Sequence, residues 1–342
     1  MNKTMRALVM TKPGVLDVKE VVVPTVEETD VLIRVDSVGI CYTDVSIAMG
    51  MLPSKTVPIT LGHELAGTIA AAGSAVSGFT PGDRVMARAA WPCGHCSFCR
   101  KGDPEHCEHR EHLGITLNGA FAEYVRVPAS VLGKLGEKTS FVDAQSSTTL
   151  AGIVRAMRRS GVGFGNTVAI VGAGHVGLIQ LQVAKMAGAK VVDALDLLDY
   201  RLDLAVKLGA RNTFNVCGDW KPAVREATGG LGYDLVIDAA GTPTSLATAV
   251  HCARKGGRVL VLGGSKTPVT DLVGWDIILK ELTILAAYGL DDALPATLEL
   301  LDVRAIQIEP MVSHHLTLDQ AAEGIGIMHR REQNVLRVVI HP

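Results

Sequence analysis

The chain has 342 residues, a length that predicts two domains of roughly 100 to 200 residues each rather than one core. Its formal net charge is -2, from 33 basic and 35 acidic residues, and the sequence contains no block of like charge. This balance excludes an electrostatic basis for binding nucleic acid or a membrane surface, so we expect small-molecule partners.

The cysteines and the first residues of the chain indicate the cellular compartment of the protein. Residues 1–6 lack the apolar core of a signal peptide, and no uninterrupted apolar stretch approaches about 18 residues. Four of the seven cysteines lie within fifteen residues, which fits thiolate metal ligands in a reducing compartment better than a disulfide framework. We therefore expect a soluble, cytoplasmic protein.

Short strand patterns separated by turn residues fill the first part of the chain, to about Val131. The predicted strands cover residues 7–10, 18–22, 31–37, 65–70 and 84–87. Turn residues such as Pro81, Gly82 and Asp83 stand before the strands. This spacing predicts a compact, mostly β domain over residues 1–150.

Beyond Ser140 the pattern changes to alternating strands and helices. The predicted strands lie near Val168, Val191 and Thr213 and over residues 235–238, 258–262 and 282–286. This order predicts an α/β domain with a doubly wound parallel sheet over residues 151–287. The remaining residues, 288–342, are too few for a domain, and we expect them to complete the first one. Their predicted elements are helices 293–303 and 319–328 and strands 315–318 and 335–340.

The stretch 167–196 carries the clearest functional pattern. An apolar strand passes at once into Gly172, Gly174 and Gly177 in the spacing G-x-G-x-x-G, and a helix follows. These glycines permit a tight turn, the approach of a pyrophosphate and close packing of the helix, whose N-terminus favours phosphate. Glycine turns are common, but strand, glycines, helix, strand and acid in this order indicate a dinucleotide site.

An acid at the end of the next strand bears on the choice of nucleotide. A second apolar run ends in Asp196, placed to accept hydrogen bonds from the adenosine ribose and to repel a 2'-phosphate. Leu197 and Leu198 follow, rather than a Gly or Ser with an Arg. The sequence therefore favours NAD over NADP.

Four cysteines form a motif in the loop 91–110. Cys93, Cys96, Cys99 and Cys107 have the spacing C-x-x-C-x-x-C-x7-C. Four thiolates suit a closed, tetrahedral structural zinc site, with an iron-sulfur cluster or free thiols as rivals. The same loop region holds four histidines, which we expect to be solvated surface residues rather than ligands: His95, His106, His109 and His112.

A second group of potential ligands is dispersed in sequence. Cys41, His63 and Glu64, with water in the remaining position, would make an open Lewis-acid metal site. Each residue alone is weak support, because a single Cys or His is more often packed than ligating. Cys217 and Cys252 have no such neighbours and are predicted to be buried small apolar side chains.

With these motifs, the chain resembles the zinc-dependent medium-chain alcohol dehydrogenases over almost its entire length. The shared motifs are Gly-Ile-Cys-Tyr-Thr-Asp at 39–44, Gly-His-Glu at 62–64, the four-cysteine loop, Phe-Ala-Glu-Tyr-Val at 121–125, the glycine fingerprint, Lys-Glu-Leu-Thr at 280–283 and Arg-Val-Val-Ile at 337–340. The resemblance implies a GroES-like catalytic domain interrupted by a Rossmann domain. It also implies reversible hydride transfer between NAD and an alcohol, in a homodimer or homotetramer.

Residue roles follow from the resemblance, position by position. It implies that Cys41 and His63 hold a catalytic zinc and that Glu64 is a ligand or an exchangeable close neighbour. Thr43 matches the hydroxyl residue that receives the alcohol proton, and Ser46 can pass a proton onward. The residues predicted at the nucleotide, besides the three fingerprint glycines and Asp196, are His175, Val176, Arg201 beside the ribose, Gly241, Gly263, and Arg337 near the pyrophosphate.

The chain departs from the family at two positions. Where the family has another zinc ligand the sequence has Thr148, a poor ligand, so Asp143 or Glu123 reaches the metal, or three ligands and water suffice, or metal binds weakly or not at all. Where some members carry a relay histidine the chain has Val45 followed by Ser46, so the proton is expected to leave through the ribose hydroxyls and solvent.

Three functional hypotheses remain. The first is a zinc-dependent, NAD-dependent alcohol dehydrogenase. The second is an NAD-binding protein with a degraded metal site, and the third is a zinc-free reductase of the quinone oxidoreductase type.

Family position implies a substrate pocket near Tyr42, Ser46, residues 89–91 and Tyr288, where few residues are charged. This favours small or medium, mostly apolar alcohols, with polyols second.

Overall fold

The structure, a computed structural model, describes residues 3–54, 56–264, 267–289 and 293–342. The chain forms two units. Met1–Ala151 and Leu290–Pro342 together make one, here called the β unit, and Gly152–Gly289 makes the other, here called the α/β unit.

The elements of the described residues are as follows. The strands are β1 (Thr4–Lys12), β2 (Val15–Val22), β3 (Asp30–Gly39), β4 (Ile59–Thr60), β5 (Glu64–Ala72), β6 (Arg84–Ala87), β7 (Ala90–Trp91), β8 (Glu111–His112), β9 (Tyr124–Pro128), β10 (Leu132–Lys134), β11 (Thr167–Val171), β12 (Val191–Asp196), β13 (Thr213–Asn215), β14 (Tyr233–Asp238), β15 (Ala253–Val261), β16 (Thr283–Ala286), β17 (His314–Thr317) and β18 (Val338–His341). The α-helices are α1 (Tyr42–Ala48), α2 (Ser97–Arg100), α3 (Phe141–Ala144), α4 (Ser147–Ser160), α5 (His175–Met186), α6 (Asp199–Lys207), α7 (Lys221–Ala227), α8 (Ser245–Cys252), α9 (Gly274–Leu279), α10 (Leu294–Asp302) and α11 (Ala321–Arg330). Short 3-10 helices cover Pro104–His106, Ala129–Val131, Glu309–Met311 and Leu318–Gln320.

The β unit is built on a sheet in the order β10-β6-β5-β3-β18-β17, with β9 also paired to β3. The strands β1, β2 and β4 form a second, smaller sheet. In β3 and β5 most side chains are buried, and Ile33, Leu65 and Ile69 belong to the core between the elements. Each fully buried aliphatic side chain of this kind contributes about 1.5–3 kcal/mol. The last strand, β18, pairs antiparallel with β3, so the end of the chain lies in the centre of this unit.

The α/β unit has one parallel sheet in the order β13-β12-β11-β14-β15-β16. All six residues of β12 are buried, as expected for a strand covered on both faces. The strand order reverses between β11 and β14, and in such sheets the carboxyl ends of the strands at the reversal form a ligand crevice. The predicted fold class, a mostly β domain with a doubly wound parallel sheet, is confirmed.

Some local predictions were wrong or incomplete. The strands β4, β7, β8, β9 and β10 were not predicted, since two to five residues are too few to establish an alternating pattern. Cys217 was predicted to be buried but is exposed, because it lies two residues beyond the end of β13, where the chain has left the sheet. Cys252, at the end of α8, is buried as predicted.

No helix in the described part of the chain combines the length and the apolar character needed to cross a bilayer.

Candidate functional site

Strand pairing brings together the three dispersed residues that the sequence singles out. In the antiparallel register of β3 and β5, Glu64 faces Gly39, two residues before Cys41. Cys41 then caps the N-terminus of α1, and His63 directly precedes β5. One ligand atom from each of Cys41, His63 and Glu64 lies within 4.8 Å of the other two. His63 and Glu64 are buried, and Cys41 is partly exposed.

A buried carboxylate that sequence reasoning did not single out orients this group. Asp44 is fully buried, and its Oδ1 accepts hydrogen bonds from the backbone N–H of Gly62 (3.0 Å) and lies 3.2 Å from Nδ1 of His63. Its Oδ2 accepts from the backbone N–H of Cys41 (3.0 Å). With Nδ1 of His63 engaged, Nε2 is the ring nitrogen available to a ligand.

The same contacts shift the pKa values of Asp44 and His63. Burial disfavours the charge on Asp44, but the His63 ring and the two backbone donors outweigh it and lower the pKa of Asp44. Burial likewise opposes a charge on His63, yet Asp44 and Cys41 raise the pKa of His63 well above its usual value. An acidic side chain at the third helical residue, which accepts a hydrogen bond from the backbone N–H of the cap residue, was the available sequence signal for Asp44.

Glu64 takes part in a buried ion pair. Its Oε2 accepts a hydrogen bond from the guanidinium of Arg337, and its Oε1 accepts from Oγ1 of Thr149 at 2.6 Å. Arg337 is 3% exposed and also donates to Gln145 and to the carbonyl of Ile40. The sequence places Arg337 near a pyrophosphate; the structure places it against Glu64, and the pyrophosphate role stays a prediction.

The residues considered as a further zinc ligand are bonded to other groups. Oγ1 of Thr148 donates to the carbonyl of Ala87 at 3.4 Å. Asp143 accepts from the hydroxyl of Ser140 and from the backbone N–H of Glu309. Glu123 pairs with Arg6. Among the described residues, the ligand group at this place is therefore Cys41, His63 and Glu64 alone.

The chemistry of these donors fits zinc. One thiolate, one imidazole and one carboxylate match the three protein ligands of a catalytic zinc site, which keeps a fourth position open. Thr43 and Ser46 lie on α1, which begins directly after Cys41. Neither side-chain hydroxyl has a hydrogen-bond partner in the described ranges, so both are free to bond a ligand.

The four loop cysteines also converge. The Sγ atoms are 4.0 Å apart for Cys93 and Cys99, 3.5 Å for Cys96 and Cys99, and 3.8 Å for Cys96 and Cys107. Four sulfurs at the Zn–S distance of a tetrahedral site stand about 3.8 Å apart, whereas a disulfide needs about 2.05 Å. Hydrogen bonds, first from the backbone of Cys99, lower the pKa of Cys96 to about 6, whereas burial raises the pKa of Cys99 to about 12. The group therefore fits a closed zinc site.

His112 does not behave as a solvated surface residue, so the expectation for it was wrong. Its ring is packed edge-on against the ring of His63, with centroids 5.2 Å apart. Burial and the neighbouring His63 lower the pKa of His112 to about 4, so the ring is neutral. The pairing of β7 with β8, which the sequence did not predict, brings it there. His95 and His109 stack on each other at the surface.

The predicted nucleotide fingerprint has the required local geometry. Gly172 has a φ of 99°, which favours glycine, at the turn between β11 and α5. A Cβ on Gly177 would collide with the carbonyl of Gly172, so the helix approaches the strand as closely as glycine allows. At Gly174 a Cβ would meet only Nη1 of Arg201, at 3.9 Å, which leaves room for a phosphate group at the helix N-terminus. His175 and Val176 are the first residues of α5.

The acid at the end of β12 is held by the turn. Oδ2 of Asp196 accepts a hydrogen bond from the backbone N–H of Ala173 (2.7 Å), and Oδ1 accepts from Leu198 (3.0 Å). Nη1 of Arg201 lies 3.8 Å from Oδ2 of Asp196, and Nε donates to the hydroxyl of Tyr200. Asp196 and Arg201 therefore stand beside the glycine turn, as the fingerprint predicts.

Two further glycines meet at the same end of the sheet. Gly241 follows β14 and Gly263 follows β15. A Cβ on either would overlap the backbone of the other, so their chains are in direct contact. The structure thus brings Gly241 and Gly263 together at the carboxyl ends of adjacent strands.

Comparisons with known proteins agree with this arrangement. The family model of the alcohol dehydrogenase GroES-like domain matches residues 27–137, and that of the zinc-binding dehydrogenases matches residues 176–302. The chain is 34% identical to an L-threonine 3-dehydrogenase of Bacillus velezensis, over 91% of this chain and 92% of that protein. A Sinorhizobium meliloti 1021 protein described as a zinc-binding dehydrogenase, bound to NADP, superposes with a TM-score of 0.93 at 31% identity, over 100% of both chains. An alcohol dehydrogenase of Thermus sp. ATN1 gives 0.87 at 32% identity, over 98% of this chain and 99% of the other.

Replacing Glu64 with Gln tests the buried ion pair. The amide keeps the shape of the side chain but leaves the guanidinium of Arg337 buried without a counter-charge, so we expect a loss of about 3–5 kcal/mol of unfolding free energy. The matched control is Glu123→Gln, whose ion pair with Arg6 is about half exposed; its cost is expected to stay below about 1 kcal/mol. Urea unfolding of both variants measures the difference, and equal losses would contradict the importance of burial.

Proposed function

Because this chain belongs to the zinc-dependent medium-chain dehydrogenase family, we propose that it oxidises an alcohol reversibly to an aldehyde or ketone with NAD as the hydride acceptor. The identity to the Bacillus velezensis enzyme and the two family models establish the membership, which confirms the resemblance read from the motifs. The members it matches act on CH–OH groups, so the chain is an oxidoreductase of that class. The observation that carries the finer proposal is the convergence of Cys41, His63 and Glu64 within 4.8 Å.

We assign a zinc ion to each of the two ligand groups. Bound by Cys41, His63 and Glu64, zinc supplies a Lewis acid that lowers the pKa of an alcohol hydroxyl. Asp44 keeps Nε2 of His63 directed at that position by engaging Nδ1. Thr149 and Arg337 hold the two oxygens of Glu64. The four loop cysteines hold the second zinc, which has a structural role.

The proton of the alcohol is assigned to the hydroxyls of α1. Thr43 lies two residues after Cys41 and can accept a hydrogen bond from the alcohol while donating its own proton onward. Ser46, three residues further on the same helix, is the next hydroxyl in that direction. Neither group titrates near neutral pH, so both relay a proton and neither acts as a base.

Asp196 supports NAD over NADP. Its carboxylate is buried and fixed by two backbone donors, so it cannot swing away from a charged neighbour. A ribose 2'-hydroxyl can donate to it, whereas a 2'-phosphate would be repelled. The relative from Sinorhizobium meliloti binds NADP, so the fold accepts either nucleotide and the choice rests on this carboxylate.

We also propose that the protein is a homo-oligomer that assembles through one edge of the parallel sheet. β16 is an edge strand, and an exposed set of large apolar side chains lies on it and on the preceding helix: Trp275, Ile278, Leu279 and Ile284. Unpaired strand edges with exposed apolar residues favour association with a second copy. All seven cysteines are free, which supports a reducing, cytoplasmic location.

Changing Cys41 to Ser tests the catalytic metal. We expect wild-type protein to contain two zinc ions per chain, and Cys41→Ser to contain one, with alcohol oxidation lost and NAD binding retained. Metal analysis, NAD-linked absorbance and nucleotide titration provide the three readouts. Cys217→Ser is the matched control, since this exposed thiol lies outside both ligand groups.

Other outcomes would favour the rival functions. Wild-type protein with one resistant zinc, NAD binding and no alcohol oxidation would support an NAD-binding protein with a degraded metal site. Reduction of quinones by protein without any zinc would support the quinone oxidoreductase type.

The Asp196→Ala variant tests the nucleotide preference. Loss of a charged acceptor for the ribose is expected to weaken NAD by about 10- to 100-fold, and the loss of repulsion should narrow the gap to NADP. The control is Asp203→Ala, which removes an exposed acid on α6, the helix that follows β12. Steady-state KM values for both nucleotides decide the point; an unchanged NAD/NADP ratio would remove the argument for NAD.

The Ile284→Lys variant tests whether the protein assembles through the edge strand β16. A charge on this exposed position of β16 should prevent pairing of two edges, and light scattering should then give the mass of a smaller species than the wild type. Val206→Lys, at a more exposed apolar residue on α6, should leave the mass unchanged. The proposal fails if wild-type protein is already monomeric.

A further inference from the structure

Several hydrogen bonds fix the backbone around His112, the last residue of β8. Its carbonyl accepts hydrogen bonds from the N–H groups of Ile115 (3.2 Å), Thr116 (2.9 Å) and Leu117 (3.2 Å). Its own N–H donates to Oγ1 of Thr116 at 2.8 Å. The next residue, Leu113, is fully buried, and its N–H donates to the carbonyl of Ala89. The turn therefore presents the His112 side chain from a rigid base.

The ring itself is also held in place. Nδ1 of His112 lies 2.8 Å from the carbonyl of Leu113, an acceptor, so Nδ1 carries the proton and Nε2 carries the lone pair. The edge-on contact with His63 fixes the plane of the ring. Within the described ranges Nε2 has no hydrogen-bond partner, and it is not among the fully buried atoms that lack one. The ring packed against His63 of the Cys41–His63–Glu64 group thus carries an acceptor that the described residues leave unpaired.

The His112 side chain is partly buried. Across the β7–β8 ladder it faces Ala90, whereas Trp91 faces Glu111, the residue before it. An acceptor in such a setting selects strongly, because a ligand that cannot donate to it leaves a desolvated polar atom unpaired.

Two simpler roles fit less well. As a metal ligand, Nε2 would have to lie within reach of the other ligand atoms, but His112 is not part of the group whose atoms lie within 4.8 Å of one another. As a purely structural residue, the ring would need only its bond to Leu113, and a partly buried, unpaired nitrogen would then cost stability without benefit.

We propose that His112 is a specificity-determining residue whose Nε2 accepts a hydrogen bond from a second donor group on the carbon next to the reacting carbinol. This rests on the proposed alcohol oxidation. The preferred substrates are secondary alcohols with an adjacent hydroxyl or ammonium, that is, vicinal diols or 1,2-amino alcohols. Mono-alcohols of the same carbon skeleton are poorer substrates because they leave Nε2 unpaired.

The test compares 2-butanol with 2,3-butanediol, which differ by one adjacent hydroxyl. For the wild-type holoenzyme we expect kcat/KM to favour the diol by about 10- to 100-fold. His112→Phe should reduce this ratio by at least about tenfold, and His112→Gln, which retains an acceptor, should restore part of it. His109→Phe, a surface histidine of the same region, is the matched control and should leave the ratio as in the wild type. L-threonine, which carries an ammonium at the adjacent carbon, distinguishes the two donor types.

A second readout does not depend on turnover. Calorimetric titration of the diol and of 2-butanol into holoenzyme without nucleotide measures binding alone, and the preference for the diol should again disappear in His112→Phe. Zinc content should stay at the wild-type value in that variant. Loss of a zinc ion would overturn the proposal, because His112 would then be a ligand. An unchanged diol preference in His112→Phe, by either readout, would also overturn it. If the wild-type enzyme oxidises no alcohol, the proposed function fails. The calorimetric comparison of the diol with 2-butanol still decides the role of His112.

Discussion

The buried ion pair between Arg337 and Glu64 is the interaction on which the candidate metal group depends. A guanidinium taken out of water is stable only with a counter-charge and hydrogen-bond acceptors, and Arg337 has Glu64, Gln145 and the carbonyl of Ile40. Arg337 directly precedes β18, which pairs with β3. The pair therefore links the end of the chain to residues that lie close to its beginning, and Glu64 keeps its place beside Cys41 and His63 only if both segments are folded.

The three-donor group is the part of the site where this chain differs from the family pattern. Thr148 stands where a further ligand is expected and bonds instead to Ala87. The adjacent hydroxyl, that of Thr149, bonds to Glu64. A carboxylate whose two oxygens are both held is a better-positioned ligand than a free one, since less conformational freedom is lost when metal binds. The residue next to Thr148 thus helps to position Glu64.

Periodicity in the sequence predicted the fold, and contacts between distant segments explain what it could not predict. The strands of the α/β unit are long apolar runs, and the glycine turn with Asp196 has fixed spacing, so both were visible in the sequence. The contacts of Asp44 and His112 with His63 were not visible, because His63 lies 19 and 49 residues away from them in the sequence. The position of Arg337 likewise depends on the pairing of β18 with β3, which no local pattern encodes. The roles assigned to the individual site residues remain predictions.

The four-cysteine loop connects the two strands β7 and β8, and this connection limits how the sequence can drift. The ladder has only two residue pairs, Ala90 with His112 and Trp91 with Glu111, and a slip of one residue in this pairing would turn the side chain at position 112 to the opposite face. Cys93 follows β7 by two residues and Cys107 precedes β8 by four, so a metal ion held by the four thiolates would pin both ends of this ladder. A region that looks like a peripheral metal-binding lobe would evolve under selection for what the enzyme accepts as a substrate.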